Sequence, residues 1–152
     1  MQNNPVAIAS DHAGFEQKQQ LITWLRELGF EVHDLGPATD ERVDYPDYAE
    51  KVAGQVASGV AVRGILVCGT GIGMAIAANK RQGIRAANII SPSFATLARE
   101  HNDVNVIALS GRFVDLNTNK EIVNNFLVTD FGEGRHAERV RKIQGLEAAQ
   151  RL

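Results

Sequence analysis

Apolar positions recur along the chain in two alternating rhythms. Short unbroken runs, VAIAS (Val6–Ser10), EVHDL (31–35), GILVCG (64–69), IRAANII (84–90) and VNVIAL (104–109), have the length and β-branched content of buried strands. Between them lie longer stretches with helical spacing. In FEQKQQLITWLRELG, Leu21, Leu25 and Leu28 share a face with Ile22 and Trp24, and Gly29 marks the stop. Pro46 fits the first turn of a helix through Ala57, and GMAIAANK opens directly from a glycine loop. Ser91 and Pro92 read as N-cap and first residue of a helix to Glu100. Thr118 and Glu121 are spaced as a capping box for a helix carrying Ile122, Val123, Phe126 and Leu127. From about Arg135 a charged amphipathic helix closes the chain. Alternating strands and helices joined by short connections predict one α/β domain over 1–152, built on a mostly parallel sheet.

Length and composition narrow the function classes. With 152 residues, 44% hydrophobic and 22% charged, the chain supports one ordinary core. A net charge of −2 supplies no basic field for nucleic acid or a membrane surface. No run is long enough for a membrane span, and MQNNPVAIASDH lacks the basic segment and apolar stretch of a signal peptide. A cytoplasmic protein is expected. One cysteine and four scattered histidines show no metal-ligand spacing, so neither metal nor cofactor is expected.

In a parallel sheet, ligands bind beyond the carboxyl ends of the strands. Those ends carry Ser10-Asp11-His12, Cys68-Gly69-Thr70, Ser91 and Ser110-Gly111-Arg112. The loop CGTGIG lacks the Lys-Ser/Thr of a Walker motif, and Met74 stands where a dinucleotide fingerprint needs glycine. Taken alone, such a loop more often serves only a tight turn. It also offers backbone amides to an anion at a helix start, whether a phosphate or a developing oxyanion. Cys68, beside that helix start, reads either as a small buried hydrophobe or as a thiolate able to act as nucleophile or base. Asp11 or Ser10 can cap a helix, and His101 with Asn102 can close one. Arg135 and Arg139 lie four apart, either as a solvated basic face or as a phosphate clamp that Arg112 could join. His33, within a strand, reads as structural. Taken together, one thiol, two imidazoles, several guanidiniums and an anion-binding loop suit proton transfer on a small phosphorylated carbonyl compound.

SDHAGF, DYPDYA, CGTGIGMAIAANK with GIRAA, AREHNDVNVIAL and GRHAERVRKI occur in this order over residues 6–145. In these blocks the sequence resembles the ribose 5-phosphate isomerase B family, which also holds allose 6-phosphate isomerases and the subunits of galactose 6-phosphate isomerase. The resemblance implies a three-layer Rossmann-like domain with a five-stranded parallel sheet. It implies a homodimer, sometimes a tetramer, with the C-terminal helix toward the partner and the site completed across the interface. It implies aldose–ketose interconversion through a cis-enediolate, without metal or nucleotide. By the same resemblance Cys68 is the base that moves a proton between C2 and C1. Thr70, with the amides of Gly69, Gly71, Ile72 and Gly73, steadies the enediolate. His101 assists ring opening, Asp11 lies near the sugar hydroxyls and Asn102 binds substrate oxygens. His12, Arg135 and Arg139 hold the phosphate, Arg112 lies toward that end, Tyr45 forms a pocket wall, and His136 occupies a motif position. Some relatives carry the base as a glutamate at the position of Ala75, so Cys68 has to act here.

The chain departs from the family pattern at ALSGRFVD, at FGEGRH, where a paired glycine is usual, and at NIISPSF, which has no acidic residue after the fourth strand. Two further readings stay open. One is an isomerase of a six-carbon sugar phosphate, which needs a longer pocket. The other is a non-catalytic sugar-phosphate sensor. A nucleotide-binding module is disfavoured by Met74 and by the missing ribose-binding acid.

Overall fold

A computed structural model describes residues 4–150; the extremes of the expected 1–152 domain, 1–3 and 151–152, lie outside them. Strands β1 (Val6–Ser10), β2 (Val32–Asp34), β3 (Arg63–Cys68), β4 (Ala86–Asn88) and β5 (Val106–Ser110) form one sheet. Its order is β2-β1-β3-β5-β4, and every pairing is parallel. Six helices accompany it: α1 (Phe15–Glu27), α2 (Tyr45–Ala57), α3 (Ile72–Ala78), α4 (Pro92–Asn102), α5 (Leu116–Val128) and α6 (Arg135–Ala149).

The two faces of the sheet are packed differently. On one, Leu21, Leu25, Ile65, Ile107, Ile122 and Phe126 build a core of large side chains beneath α1, α4 and α5. On the other, Ala7, Ala9, Ala49, Ala53 and Ala108 let α2 and α3 lie close. Gly64 marks how close, since a Cβ there would stand 2.5 Å from Val52 Cγ1. Three layers result, as the resemblance implies, on the parallel sheet that the strand–helix alternation predicts.

Several local expectations are corrected. β4 spans only Ala86–Asn88, within the expected 84–90, because it is an edge strand paired on one side. The capping box at Thr118–Glu121 does not form. The helix already starts at Leu116, and Asp115 Oδ1 caps it by accepting from the Thr118 amide at 2.7 Å. Ser91 and Pro92 hold the expected backbone positions, but the Ser91 side chain makes no capping bond. Leu28 is the C-cap of α1 and 55% exposed, so it lies outside the buried face. The C-cap of α4 is Asp103, in the left-handed region (φ 48°), and Asn102 is the last helical residue. In FGEGRH, Glu133 adopts φ 54°, a conformation easier for the glycine it replaces. His33 is bonded to Gln55 and Glu31 on the sheet edge, in keeping with a structural role.

Asp103 anchors the amino end of β5. It pairs with Arg99 at 2.8 Å and with Arg85 at 3.1 Å, and Arg99 also donates to the carbonyls of Val104 and Thr129. Nearby, burial holds Arg63 down to about 10, with repulsion from Arg99 adding to it. Removing the Asp103 carboxylate leaves the Arg85 and Arg99 guanidiniums without the anion they share. Asn tolerates the left-handed backbone, so Asp103→Asn isolates the charge. The expected loss of unfolding free energy in urea is about 2 kcal/mol, less than for a fully buried pair because Asp103 is 31% exposed. A change below about 0.5 kcal/mol would show that the charge carries no weight there.

Candidate active site

The strand order reverses between β1 and β3, the place where open parallel sheets bind ligands. The loop after β1 fills one side of that crevice. Asp11 is buried, and its Oδ1 accepts from the amides of Ala13 and Gly14 at 2.9 and 3.0 Å. It therefore shapes the turn into α1. Gly14 packs on the end of β3, where a Cβ would stand 2.3 Å from the Val67 carbonyl oxygen. His12 follows Asp11, and its Nδ1 accepts from the Val43 amide at 3.3 Å. That bond places the ring proton on Nε2, the nitrogen left to meet an anion.

The glycine turn forms the other side. Cys68 ends β3 at 5% exposure, and its sulfur accepts from the Gly71 amide at 3.1 Å. Gly71 has φ 88°. The turn's carbonyls all point away from the crevice. That of Cys68 accepts from Gly111 N, that of Gly69 from Arg112 N and Ser110 Oγ, and that of Thr70 from Asn88 Nδ2. The Thr70 hydroxyl accepts from Ile72 N at 3.1 Å, leaving its own proton to donate. Amides in the first turn of α3, such as Gly73 N, have no carbonyl acceptor within the helix. Tyr45 lies over Gly73, where a Cβ would meet the ring at 2.6 Å, and Arg112 lies over Gly69, where a Cβ would meet Nη1 at 3.1 Å. Asp11, His12, Tyr45, Cys68, Thr70 and Arg112 thus surround one crevice. A sulfur, an array of N–H donors and a guanidinium there can accept a proton from carbon and hold the charge that develops.

The remaining expected residues lie elsewhere in the chain. In a parallel sheet each crossover helix runs back to the amino edge. His101 and Asn102 are in the last turn of α4, just before β5 begins. α6 starts beside them after α5 has made the same return, and Gly132 N bonds the Glu100 carbonyl. His136 stacks on His101 with ring centroids 4.4 Å apart and planes at 15°. Arg135 and Arg139 bear on this pair from α6. Cys68 pairs in register with Ser110, the last residue of β5, while His101 precedes Val106, the first. The length of β5, about 13 Å, separates those levels. Within the single chain the expected residues form two clusters, one toward each edge of the sheet.

Some contributors had no signal in the sequence. Asn88 bridges Thr70 and Ala108, and Val43 orients His12. Gln17 and Asn119 tie the Ser110–Val114 turn to α1 and α5. Each acts through bonds to residues outside its own element, which no local pattern announces.

The profile of the Ribose/Galactose Isomerase family matches residues 6–143. The chain belongs to this family. Ribose-5-phosphate isomerase B of Escherichia coli is 46% identical over 142 residues, covering 93% of this chain and 95% of that protein. Among solved structures, ribose-5-phosphate isomerase B of Clostridium thermocellum superimposes with a TM-score of 0.94 at 46% identity, covering 95% of this chain and 98% of the other. The enzyme of Mycoplasma genitalium with bound ribulose-5-phosphate gives 0.93 at 43% identity, covering 97% and 99%. In this member of the ribose/galactose isomerase family, no described helix is long and apolar enough to cross a membrane.

The imidazole stack has a pH signature. Removal from water, then repulsion from His101, Arg135 and Arg139, pushes His136 below 6.5, with Glu100 opposing. The fold therefore favours the neutral ring, whereas the unfolded chain takes up a proton near 6.5. This contribution to stability is complete above 6.5 and is lost as pH falls from there through the lowered value. His136→Phe keeps an aromatic ring and removes the proton site. Its urea midpoint should drop less than the parent's between neutral and mildly acidic pH. Parallel drops would exclude His136 as a source of the acid sensitivity.

Proposed function

We propose that the protein is an aldose–ketose isomerase that converts ribose 5-phosphate to ribulose 5-phosphate as a homodimer, with Cys68 as the base. The observation that carries this reading is the Gly71 amide on the Cys68 sulfur, in a turn whose carbonyls all face away. Such a turn favours negative charge, first on sulfur and then on substrate oxygen. The relatives named above supply the substrate.

In the open-chain aldose, Cys68 takes the proton from C2. The C–H electrons form the C1–C2 double bond, and the former carbonyl oxygen O1 becomes the enediolate oxygen. Thr70 and the amides of the turn stabilise that charge and help move the hydroxyl proton between O2 and O1. Return of the first proton to C1 then gives the ketose. The balance is internal to the substrate and needs neither metal nor redox cofactor. His12, presenting Nε2–H, sits where the phosphate is held from this side of the crevice.

The second cluster joins from another copy of the chain. His101 and Asn102 of one protomer would serve ring opening and the substrate oxygens in its neighbour's crevice, with Arg135 and Arg139 on the phosphate. Apolar side chains left in water support a second copy, among them Ile72 and Ile76 on α3 and Phe94 and Leu97 on α4, each at least 42% exposed. A cytoplasmic setting, which keeps a lone thiol reduced, suits this chemistry.

Proton NMR in heavy water tests the assignment. The parent should form ribulose 5-phosphate from ribose 5-phosphate with deuterium entering at the exchanging carbon. Cys68→Ala should lower the rate by about a hundred-fold or more, the usual weight of a general base. Turnover surviving in the variant would remove Cys68 from the role. No turnover by the parent, with activity on allose 6-phosphate instead, would replace the substrate.

A further inference from the structure

We propose that Asn88 is a positioning residue for the Cys68 thiol, acting through the Thr70–Gly71 peptide. The proposal rests on the reading of Cys68 as base and adds a residue that this reading does not need. The Gly71 amide that faces the sulfur and the Thr70 carbonyl are two ends of one planar group. In a trans peptide they point in opposite directions. At one end, the N–H donates to Cys68 Sγ at 3.1 Å. At the other, the carbonyl accepts from Asn88 Nδ2 at 3.1 Å. The same Nδ2 donates its second hydrogen to the Ala108 carbonyl at 3.0 Å. Both neighbours are carbonyl acceptors, so the amide can be oriented in only one way.

The need for such a clamp follows from the glycine. Gly71 sits at φ 88°, where only a residue without Cβ is at ease. The same freedom lets the preceding peptide turn over. A turned-over peptide would set the Thr70 carbonyl, not the Gly71 N–H, against the sulfur, and that dipole repels a thiolate. Asn88 holds the carbonyl outward. Its footing is rigid: Asn88 pairs in register with Ala108 on β5, and the Ile89 amide also bonds the Ala108 carbonyl. The fit is close, since a Cβ on Gly71 would stand 2.3 Å from Asn88 Nδ2. The side chain therefore ties the edge strand to the turn at the point that decides which end of the peptide the thiol meets.

Two variants test this. Asn88→Leu keeps the bulk and removes both donors. Asn88→Asp keeps the shape and puts oxygens against two carbonyls. The chain's single thiol makes its thiolate band near 240 nm readable, with the matching Cys68→Ala proteins as blanks. At the pH where the parent's band is half developed, each variant should show a thiolate-to-thiol ratio smaller by about fivefold, as expected for weakening one hydrogen bond to a charged group. kcat for ribose 5-phosphate should fall about tenfold with KM within about twofold, because the contact matters most when charge develops. A variant that lowers only the thermal midpoint, with thiolate ratio and kcat unchanged, would make Asn88 a structural anchor and overturn the proposal. If Asn88→Leu does not fold, the isosteric Asp variant carries the same decision. Should Cys68→Ala retain turnover, the base assignment fails, yet the thiolate ratio still decides whether Asn88 positions the peptide.

Discussion

All five strands run the same way, and this single constraint organises the rest. Each connection must return to the amino edge before the next strand can begin, so each helix starts near the carboxyl edge and ends at the other. Residues at strand ends and helix starts therefore collect on one edge, and residues at helix ends collect on the opposite one. Asp11, His12, Cys68, Thr70 and Arg112 belong to the first set. His101 and Asn102 belong to the second, and α6 adds Arg135, His136 and Arg139. In the proposed reaction a second copy of the chain brings these two clusters together.

Within the carboxyl edge, the glycine turn is defined by where its carbonyls go. Three successive carbonyls are held outward by bonds from the β5–α5 turn and from β4, and this leaves N–H groups facing the crevice. Small residues make that packing possible. Gly14, Gly71 and Gly73 each stand where a Cβ would collide with a neighbouring backbone or side chain. The array is thus set by tertiary contacts and is in place before any substrate arrives, the condition under which dipoles stabilise a developing charge without reorganising.

Much of this was legible in the sequence, for physical reasons. Short apolar runs rich in β-branched residues read as buried strands, as β1, β3 and β5 are, and Pro46, Ser91-Pro92 and Gly29 mark helix ends through backbone geometry that permits few alternatives. Asp11, His12, Cys68, Thr70 and Arg112 followed from strand ends, and Tyr45 only from the family resemblance. Helix limits were less legible where two candidates competed, as at Asp115 against Thr118 and Asp103 against Asn102, because the winning cap depends on neighbours remote in sequence. The division into two clusters was hidden as well. Spacing places a residue on a helix but does not say which other residues share its edge of the sheet, and His101 lies only a few residues from β5 while sitting at the far end of it from Cys68. Asn88 shows the same limit. In the sequence it is merely a polar residue ending a short strand.

In the proposed dimer one catalytic centre draws on both edges, one contributed by each chain. Co-expressing Cys68→Ala with Arg139→Ala under different tags, and purifying the mixed dimer through both, tests it directly. Each variant alone should be nearly inactive. In the mixed dimer one crevice carries both defects and the other carries none, so turnover should return to about half the parent's value per dimer. A mixed dimer as inactive as its parents would rule out a shared centre, because both clusters would then have to serve a site within the same chain.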